Sequence, residues 1–181
     1  MVLLAFIFLV SGMLGMGIVA NLPSLLVVIG ATPSAALAAA SLFGPAQVVA
    51  RLLEFSVRHR INPLISGRIA CLLHPLGALV IAVGGAPVVA AFSICHGAGN
   101  GMLTIVRGTL PLALYGPVGY GARMGRIAIP ARIAQAVAPF LFGVAIDKLG
   151  EATLVVSSAL YVAAFAALYR LVLPPKHAGA R

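Results

Sequence analysis

Six long apolar stretches dominate the sequence and restrict what the chain can fold into. Each is close to the roughly 20 residues that a helix needs to cross a bilayer core about 30 Å thick. They cover residues 2–29, 34–55, 65–83, 87–107, 127–146 and 152–173. A segment in lipid must satisfy its own backbone hydrogen bonds, as a helix does, and no stretch has the sustained alternation of a membrane β-barrel.

The sequence therefore predicts an all-α membrane protein with six transmembrane helices embedded in a lipid bilayer. Residues 1–175 form the transmembrane domain, and residues 176–181 form a cytoplasmic tail. Pro23 predicts a bend in the first span. Met1 stands directly at the start of that span, so we expect the chain to be part of something longer. A cleaved signal peptide is the weaker alternative, because no basic residue precedes the apolar run and more spans follow.

The composition excludes a soluble globular domain. Of the residues, 62% are hydrophobic and 8% are charged, whereas soluble domains are typically about 25% charged. The net charge of +9 would suit a nucleic-acid-binding protein. However, the basic residues stand singly between apolar runs of membrane length, so we predict no nucleic-acid partner.

The basic residues also predict the orientation. If the spans alternate in direction, every lysine and arginine except Lys148 falls on one side of the membrane. The positive-inside rule makes that side cytoplasmic. Both termini are then cytoplasmic, and the expected location is the bacterial inner (plasma) membrane. We expect residues 108–126, which are rich in glycine and proline, to form a cytoplasmic loop lying at the membrane interface.

A polar stripe runs along the fourth span. His96, Asn100, Thr104 and Arg107 are spaced 4, 4 and 3 residues apart, which places them on one helical face. One interpretation is a solute or proton pathway, in which His96 titrates near neutral pH. The other is hydrogen bonding between helices, with Arg107 reaching to the cytoplasmic surface. The same span carries Gly97 and Gly101, a spacing that permits close helix packing.

A second stripe ends the second span. Gln47, Arg51, Glu54 and Arg58 are spaced 4, 3 and 4 residues apart. One interpretation is a cytoplasmic gate, a charge cluster that opens and closes as helices move. The alternative is simple anchoring at the interface.

Three further polar residues lie within spans. Arg132 and Gln135 share a face of the fifth span, and Asn21 lies in the first. A buried arginine can hold an anionic substrate group. Alternatively, Arg132 only extends toward the nearer surface.

Other kinds of chemistry have little support in the sequence. No His, Cys or carboxylate cluster has metal-ligand spacing, and no glycine-rich phosphate loop precedes a lysine. Cys71 and Cys95 are expected to be apolar fillers, and His74 to be a packing residue beside Pro75. We predict no cofactor and no metal, and we predict that the protein is not an enzyme.

Several short motifs resemble those of major facilitator superfamily transporters. The run from Gly44 to Arg51 resembles the eighth helix of that family, with Gln47 inside the pattern and a basic loop after it. Residues 97–101 and 107–111 look like the tenth helix and its exit, and residues 120–139 look like the loop and helix that follow. The resemblance covers nearly the whole chain and points to the carboxyl-terminal six helices of a twelve-helix transporter.

The resemblance implies two inverted three-helix repeats, about 1–84 and 87–173. It also implies a solute path between this half and a partner, either an amino-terminal half or a second copy. The first hypothesis is thus a secondary transporter that moves an unidentified small solute by alternating access. Coupling of this transport to protons would rest on His96. Asn21, His96, Asn100 and Arg107 would line its path. The second hypothesis is a six-helix membrane protein that acts by association, or a truncated gene product.

Overall fold

The computed structural model describes residues 1–57 and 60–173, and in them it has six candidate membrane spans at the predicted places. The segments long and apolar enough to cross a membrane are Val2–Ala20, Pro33–Val57, Pro63–Gly84, Ala86–Tyr115, Tyr120–Leu149 and Ala152–Tyr169. Eight α-helices build the described chain, with a 3₁₀ turn at Ala86–Val88 before the sixth. They are α1 Val2–Ala20, α2 Leu22–Val28, α3 Pro33–Ser41, α4 Phe43–Val57, α5 Pro63–Gly84, α6 Val89–Tyr115, α7 Tyr120–Leu149 and α8 Ala152–Tyr169.

The first two spans are each broken near a proline. In the first, α1 ends at Ala20 and α2 begins at Leu22, so the break lies at Asn21, two residues before Pro23. In the second, α3 and α4 are separated at Leu42, three residues before Pro45. Proline has no N–H to donate to the preceding turn, and its ring crowds that turn. The bend predicted at Pro23 corresponds to a break in the helix at Asn21.

The predicted loop at residues 108–126 is wrong in extent. Helix α6 continues to Tyr115 and α7 begins at Tyr120, so only residues 116–119 connect them. Gly116 and Gly119 take the positive φ angles, 70° and 67°, that make the turn. The other glycines and Pro111 stay within helices. The Tyr120 hydroxyl donates to the Gly108 carbonyl, which ties the two helices together beside the turn.

Contacts between helices show that successive spans run in opposite directions. Along α1 and α6, Ser11 meets Arg107 while Gly15 meets Asn100, so these helices are antiparallel. Along α4 and α6 the paired residues rise together, from Gln47 with Gly101 to Arg51 with Thr104.

An even number of alternating spans puts the described chain ends on one face, which we call the basic face. The exposed arginines Arg60, Arg126 and Arg170 belong to it. Asp147, Lys148 and Glu151 lie at the opposite face.

Two helices form the centre of the bundle. Helix α6 packs on α4 and α5, and α1 packs on α7 and α8, while α5 and α8 also contact each other. Large side chains such as Phe92 and Tyr161 are fully buried where these helices meet. The second and fifth spans have the smallest share of buried residues.

Three glycines let α6 approach its neighbours at backbone distance. A β-carbon at Gly97 or Gly101 would collide with the backbone carbonyl of Phe43 or Gln47, both on α4. A β-carbon at Gly99 would lie 2.7 Å from the carbonyl oxygen of Ala70 on α5. The close packing predicted from Gly97 and Gly101 is thus present, and Gly99 adds the same device on the other side of the helix.

Candidate functional site

Polar side chains from three helices converge between α1, α6 and α7, well inside the spans. We call this group the polar seam. It consists of Ser11 on α1, Asn100 and Arg107 on α6, and Gln135 on α7, with Arg132 of α7 at its exposed edge. Polar groups at membrane depth commonly face a bundle interior or a water-filled cavity, because lipid offers them no partners. The seam is therefore the strongest candidate for a functional site.

The two arginines of the seam bond to neighbouring side chains rather than to acids. Arg107 donates from Nη2 to the Ser11 hydroxyl at 3.3 Å. Arg132 donates from Nη1 to Gln135 Oε1 at 3.4 Å. The two arginines are linked through α1, because Ser11, the partner of Arg107, is next to Gly12, and Gly12 lies against Gln135, the partner of Arg132. In the described part of the chain, neither guanidinium forms an ion pair with a carboxylate.

Small residues on α1 make room for the seam. Gly12 lies directly beneath the Gln135 amide, and Gly15 lies beneath Asn100, whose Oδ1 would be 2.9 Å from a β-carbon there. Ser11, next to Gly12, is fully buried. This glycine-rich stretch lets polar side chains of α6 and α7 approach the backbone of α1, and larger residues would fill the space.

Asn21 lies farther along the interface between α1 and α7. Its Nδ2 donates to the carbonyl oxygens of Gly17 and Pro139, each at 2.9 Å. The side chain thus connects the break between α1 and α2 to α7. The predicted path residue Asn21 has both amide hydrogens engaged by backbone, and this bridging explains its presence at a proline-induced break.

The predicted gate residues lie along the α4–α6 contact. Arg51 donates from Nη2 to the Thr104 hydroxyl at 3.3 Å, and that hydroxyl donates to the Asn100 carbonyl at 2.9 Å. Gln47 packs against Gly101, and Glu54 is buried. Arg58 lies outside the described residues. Thr104 therefore faces α4, although the stripe on span four groups it with Asn100 and Arg107.

His96 points away from the seam, into the interface of α5, α6 and α8. Its Nδ1 is 3.1 Å from Nδ1 of His74, and His74 Nε2 is 2.9 Å from the Ser157 hydroxyl oxygen. All three residues are buried. Aromatic rings surround them: Phe92 stacks on His96 at 5.8 Å, and Tyr161 lies 4.8 Å from His74, both measured between ring centroids.

The hydrogen-bond pattern assigns the protons of this buried chain. Ser157 donates its single hydrogen to the Leu154 carbonyl at 3.0 Å, so it accepts from His74 Nε2–H. Neutral His74 then accepts at Nδ1 from His96 Nδ1–H. The remaining ring nitrogen, His96 Nε2, is buried without a partner. Both histidines cannot carry an extra proton together, because two N–H groups would then face each other.

A groove lies away from the seam, between α5 and α8. It has a volume of about 720 Å³ and is lined mostly by apolar side chains such as Leu79 and Val162, with Ser158 and Glu151 as the polar members. Such a groove suits acyl chains of lipid rather than a polar solute. In residues 1–57 and 60–173, no three His, Cys, Asp or Glu side chains come together as metal ligands.

The structure thus brings together part of the predicted site. Asn100, Arg107, Arg132 and Gln135 meet, while Thr104 faces α4 and His96 faces α5 and α8. Sequence reasoning missed Ser11 as a partner of Arg107, and it missed His74 and Ser157 as partners of His96. The signal for His74 was available, since an ionisable residue in the middle of an apolar span needs a partner.

No family model matches this sequence, and no curated protein sequence matches it either. The resemblance to the major facilitator superfamily therefore stays a prediction, and function has to be argued from the geometry.

Proposed function

We propose that the chain is the carboxyl-terminal half of a secondary transporter of the major facilitator type, which moves a small solute by alternating access. The observation that carries the proposal is the polar seam, where Asn100, Arg107 and Gln135 from two helices face a glycine-rich stretch of α1, and Arg132 bonds to Gln135 at the exposed edge. Polar and ionisable groups at this depth are costly, and they commonly mark the pathway of a solute or ion.

The packing of the helices supports two inverted three-helix repeats, residues 1–84 and 87–173. If α1 corresponds to α6, then α4 corresponds to α7 and α5 to α8. The contact of α4 with α6 then has its counterpart in that of α7 with α1, and the contact of α5 with α6 in that of α8 with α1. This exchange of partners between halves is expected of inverted repeats in transporters.

The charge distribution supports an orientation with the basic face in the cytoplasm, as the positive-inside rule requires. In this proposal both chain ends are cytoplasmic and the membrane is the bacterial inner membrane. The buried position of His96 beside His74 favours a structural role for His96. In this proposal the solute therefore binds in the polar seam and not at the histidines.

The exposed faces of α4 and α7 support the proposal that a partner protein covers them, either an amino-terminal half or a second copy. Arg132 is exposed in the middle of a 30-residue helix, about 18 Å along α7 from Tyr120. A lipid-facing arginine at that depth costs at least about 2.5 kcal/mol. The same faces would also serve a six-helix protein that acts only by association, which is the second candidate function.

Thiol labelling tests the transport proposal without knowledge of the solute. Cys71 and Cys95 are first replaced by alanine, and Asn100→Cys is introduced. Alternating access predicts that a membrane-impermeant thiol reagent labels this cysteine from either side of oriented vesicles, because the seam opens to each side in turn.

The matched control is Leu76→Cys, whose side chain is half exposed on the lipid-facing side of α5. It should resist the reagent from both sides. A seam cysteine that is labelled from neither side, like the control, would contradict a solute path at Asn100 and would favour the association hypothesis.

A further inference from the structure

In residues 1–57 and 60–173, the two positive charges of the polar seam have no carboxylate counter-ion. The whole chain has only three acidic residues. Asp147 lies 15 residues beyond Arg132 on α7, about 22 Å along the helix, and Glu151 follows after α7 ends. Glu54 is on α4, and it forms no ion pair with Arg107 or Arg132. Among the described residues, the two guanidinium groups of the seam are therefore uncompensated inside the low-dielectric spans.

The depth of Arg107 is not that of an arginine side chain that extends to the nearer membrane surface. It lies eight residues before the end of α6, about 12 Å from Tyr115 at the basic face. Side chains on a helix lean toward its N-terminus, and the N-terminus of α6 is at the opposite face. Arg107 accordingly points deeper into the span, where it reaches Ser11, about 15 Å along α1 from Met1.

Several hydrogen-bond donors in the seam are uncommitted. Arg107 Nε is buried and has no acceptor. The Asn100 side-chain amide has no hydrogen-bond partner in the described part of the chain, and Gln135 uses only its oxygen, as the acceptor for Arg132. Donors without acceptors, combined with excess positive charge, define a site for a group that is negatively charged and accepts hydrogen bonds.

We propose that the polar seam binds an oxyanion, a phosphate or carboxylate group held between Arg107 and Arg132. A guanidinium group matches the geometry of such oxygens and can donate two parallel hydrogen bonds to one carboxylate or phosphate. Asn100 and the Gln135 amide supply neutral donors beside the two charges. This proposal names the substrate class of the transporter proposed above and rests on that function.

The same chemistry could come from a dissolved anion or from the headgroup of an acidic lipid, so the test separates them. The protein is placed in nanodiscs of phosphatidylcholine and heated, and unfolding is followed with a maleimide dye that reacts when the fully buried Cys71 becomes exposed. Inorganic phosphate and succinate are titrated against choline chloride at constant ionic strength. A parallel sample contains phosphatidylglycerol and no added anion.

We expect phosphate or succinate to raise the unfolding midpoint saturably, by about 3–5 °C. The rise should disappear in Arg132→Gln, whose exposed position makes it compatible with folding. It should persist in Arg126→Gln, an equal loss of charge at the exposed basic face.

No rise with either anion, or an equal rise in Arg132→Gln, would overturn the proposal. A rise with phosphatidylglycerol alone would assign the arginines to a lipid headgroup and would overturn the solute interpretation. Labelling of Asn100→Cys from both sides, without any anion effect, would leave the transport function standing and reject only the oxyanion.

Discussion

Replacing His74 alone by leucine is expected to destabilise the protein by about 2–4 kcal/mol. The substitution removes the hydrogen-bond partner of His96 Nδ1, and His96 Nε2 has none already. The imidazole of His96 is then a fully buried polar group without a hydrogen bond. Reversible unfolding by sodium dodecyl sulfate in mixed micelles, followed by circular dichroism, measures the change in unfolding free energy.

The double variant His74→Leu/His96→Leu is expected to recover a large part of that loss, because replacing both partners with apolar groups leaves little to desolvate. The double-mutant cycle should therefore give a coupling of more than about 1 kcal/mol between the two sites. Losses that simply add would mean that the two rings do not depend on each other, and the proton assignment of the buried chain would fail.

The second large effect is expected at Gly101, where Gly101→Val should cost about 3 kcal/mol or more. A β-carbon at this position collides with the backbone of Gln47, and backbone cannot move aside as a side chain can. The helices α4 and α6 would have to separate, which also breaks the bond from Arg51 to Thr104. The same unfolding assay measures the loss.

Gly125→Val is the matched control, because Gly125 is exposed in α7 and a β-carbon there meets nothing within 4 Å. It should change the unfolding free energy by less than about 1 kcal/mol. Equal effects at the two glycines would show that the substitution acts through helix propensity, and the close contact between α4 and α6 would lose its support.

The membrane spans are predictable from the sequence because their signal is local. Apolar runs of the right length and the requirement to satisfy the backbone decide that they are helices, with no need to know what packs where. Pro23 marks the break in the first span for the same reason, since its missing N–H acts only on the preceding turn.

The turn between α6 and α7 was harder to locate, because glycine and proline weaken a helix without always ending it. Gly108, Pro111 and Gly121 remain helical, whereas Gly116 and Gly119 take left-handed angles. Backbone groups in lipid have no water as an alternative partner, so a helix there tends to continue through glycine and proline. The hydrogen bond from Tyr120 to Gly108 joins the two helices beside the turn, and the sequence does not reveal such a contact.

Only part of the site could be predicted, because residue spacing shows which side chains share a helix face but not which residues that face contacts. His96 and Arg107 are on nearly the same face of α6, yet one meets His74 on α5 and the other meets Ser11 on α1. Packed helices generally cross at an angle, so the neighbour of a given helix face changes with depth. Finding Ser157 next to His74 requires the three-dimensional arrangement of α5 and α8.

Reporter fusions test the central claim most directly, which is that the chain crosses the bilayer six times with the basic face in the cytoplasm. Alkaline phosphatase is active only outside the cytoplasm, and a fluorescent protein folds only inside. Fusions of each reporter are made after Gly30, Gly85 and Gly150 and after Arg60, Gly116 and Leu173. The account predicts phosphatase activity for the first three and fluorescence for the last three; phosphatase activity after Leu173, or fluorescence after Gly85, would contradict it.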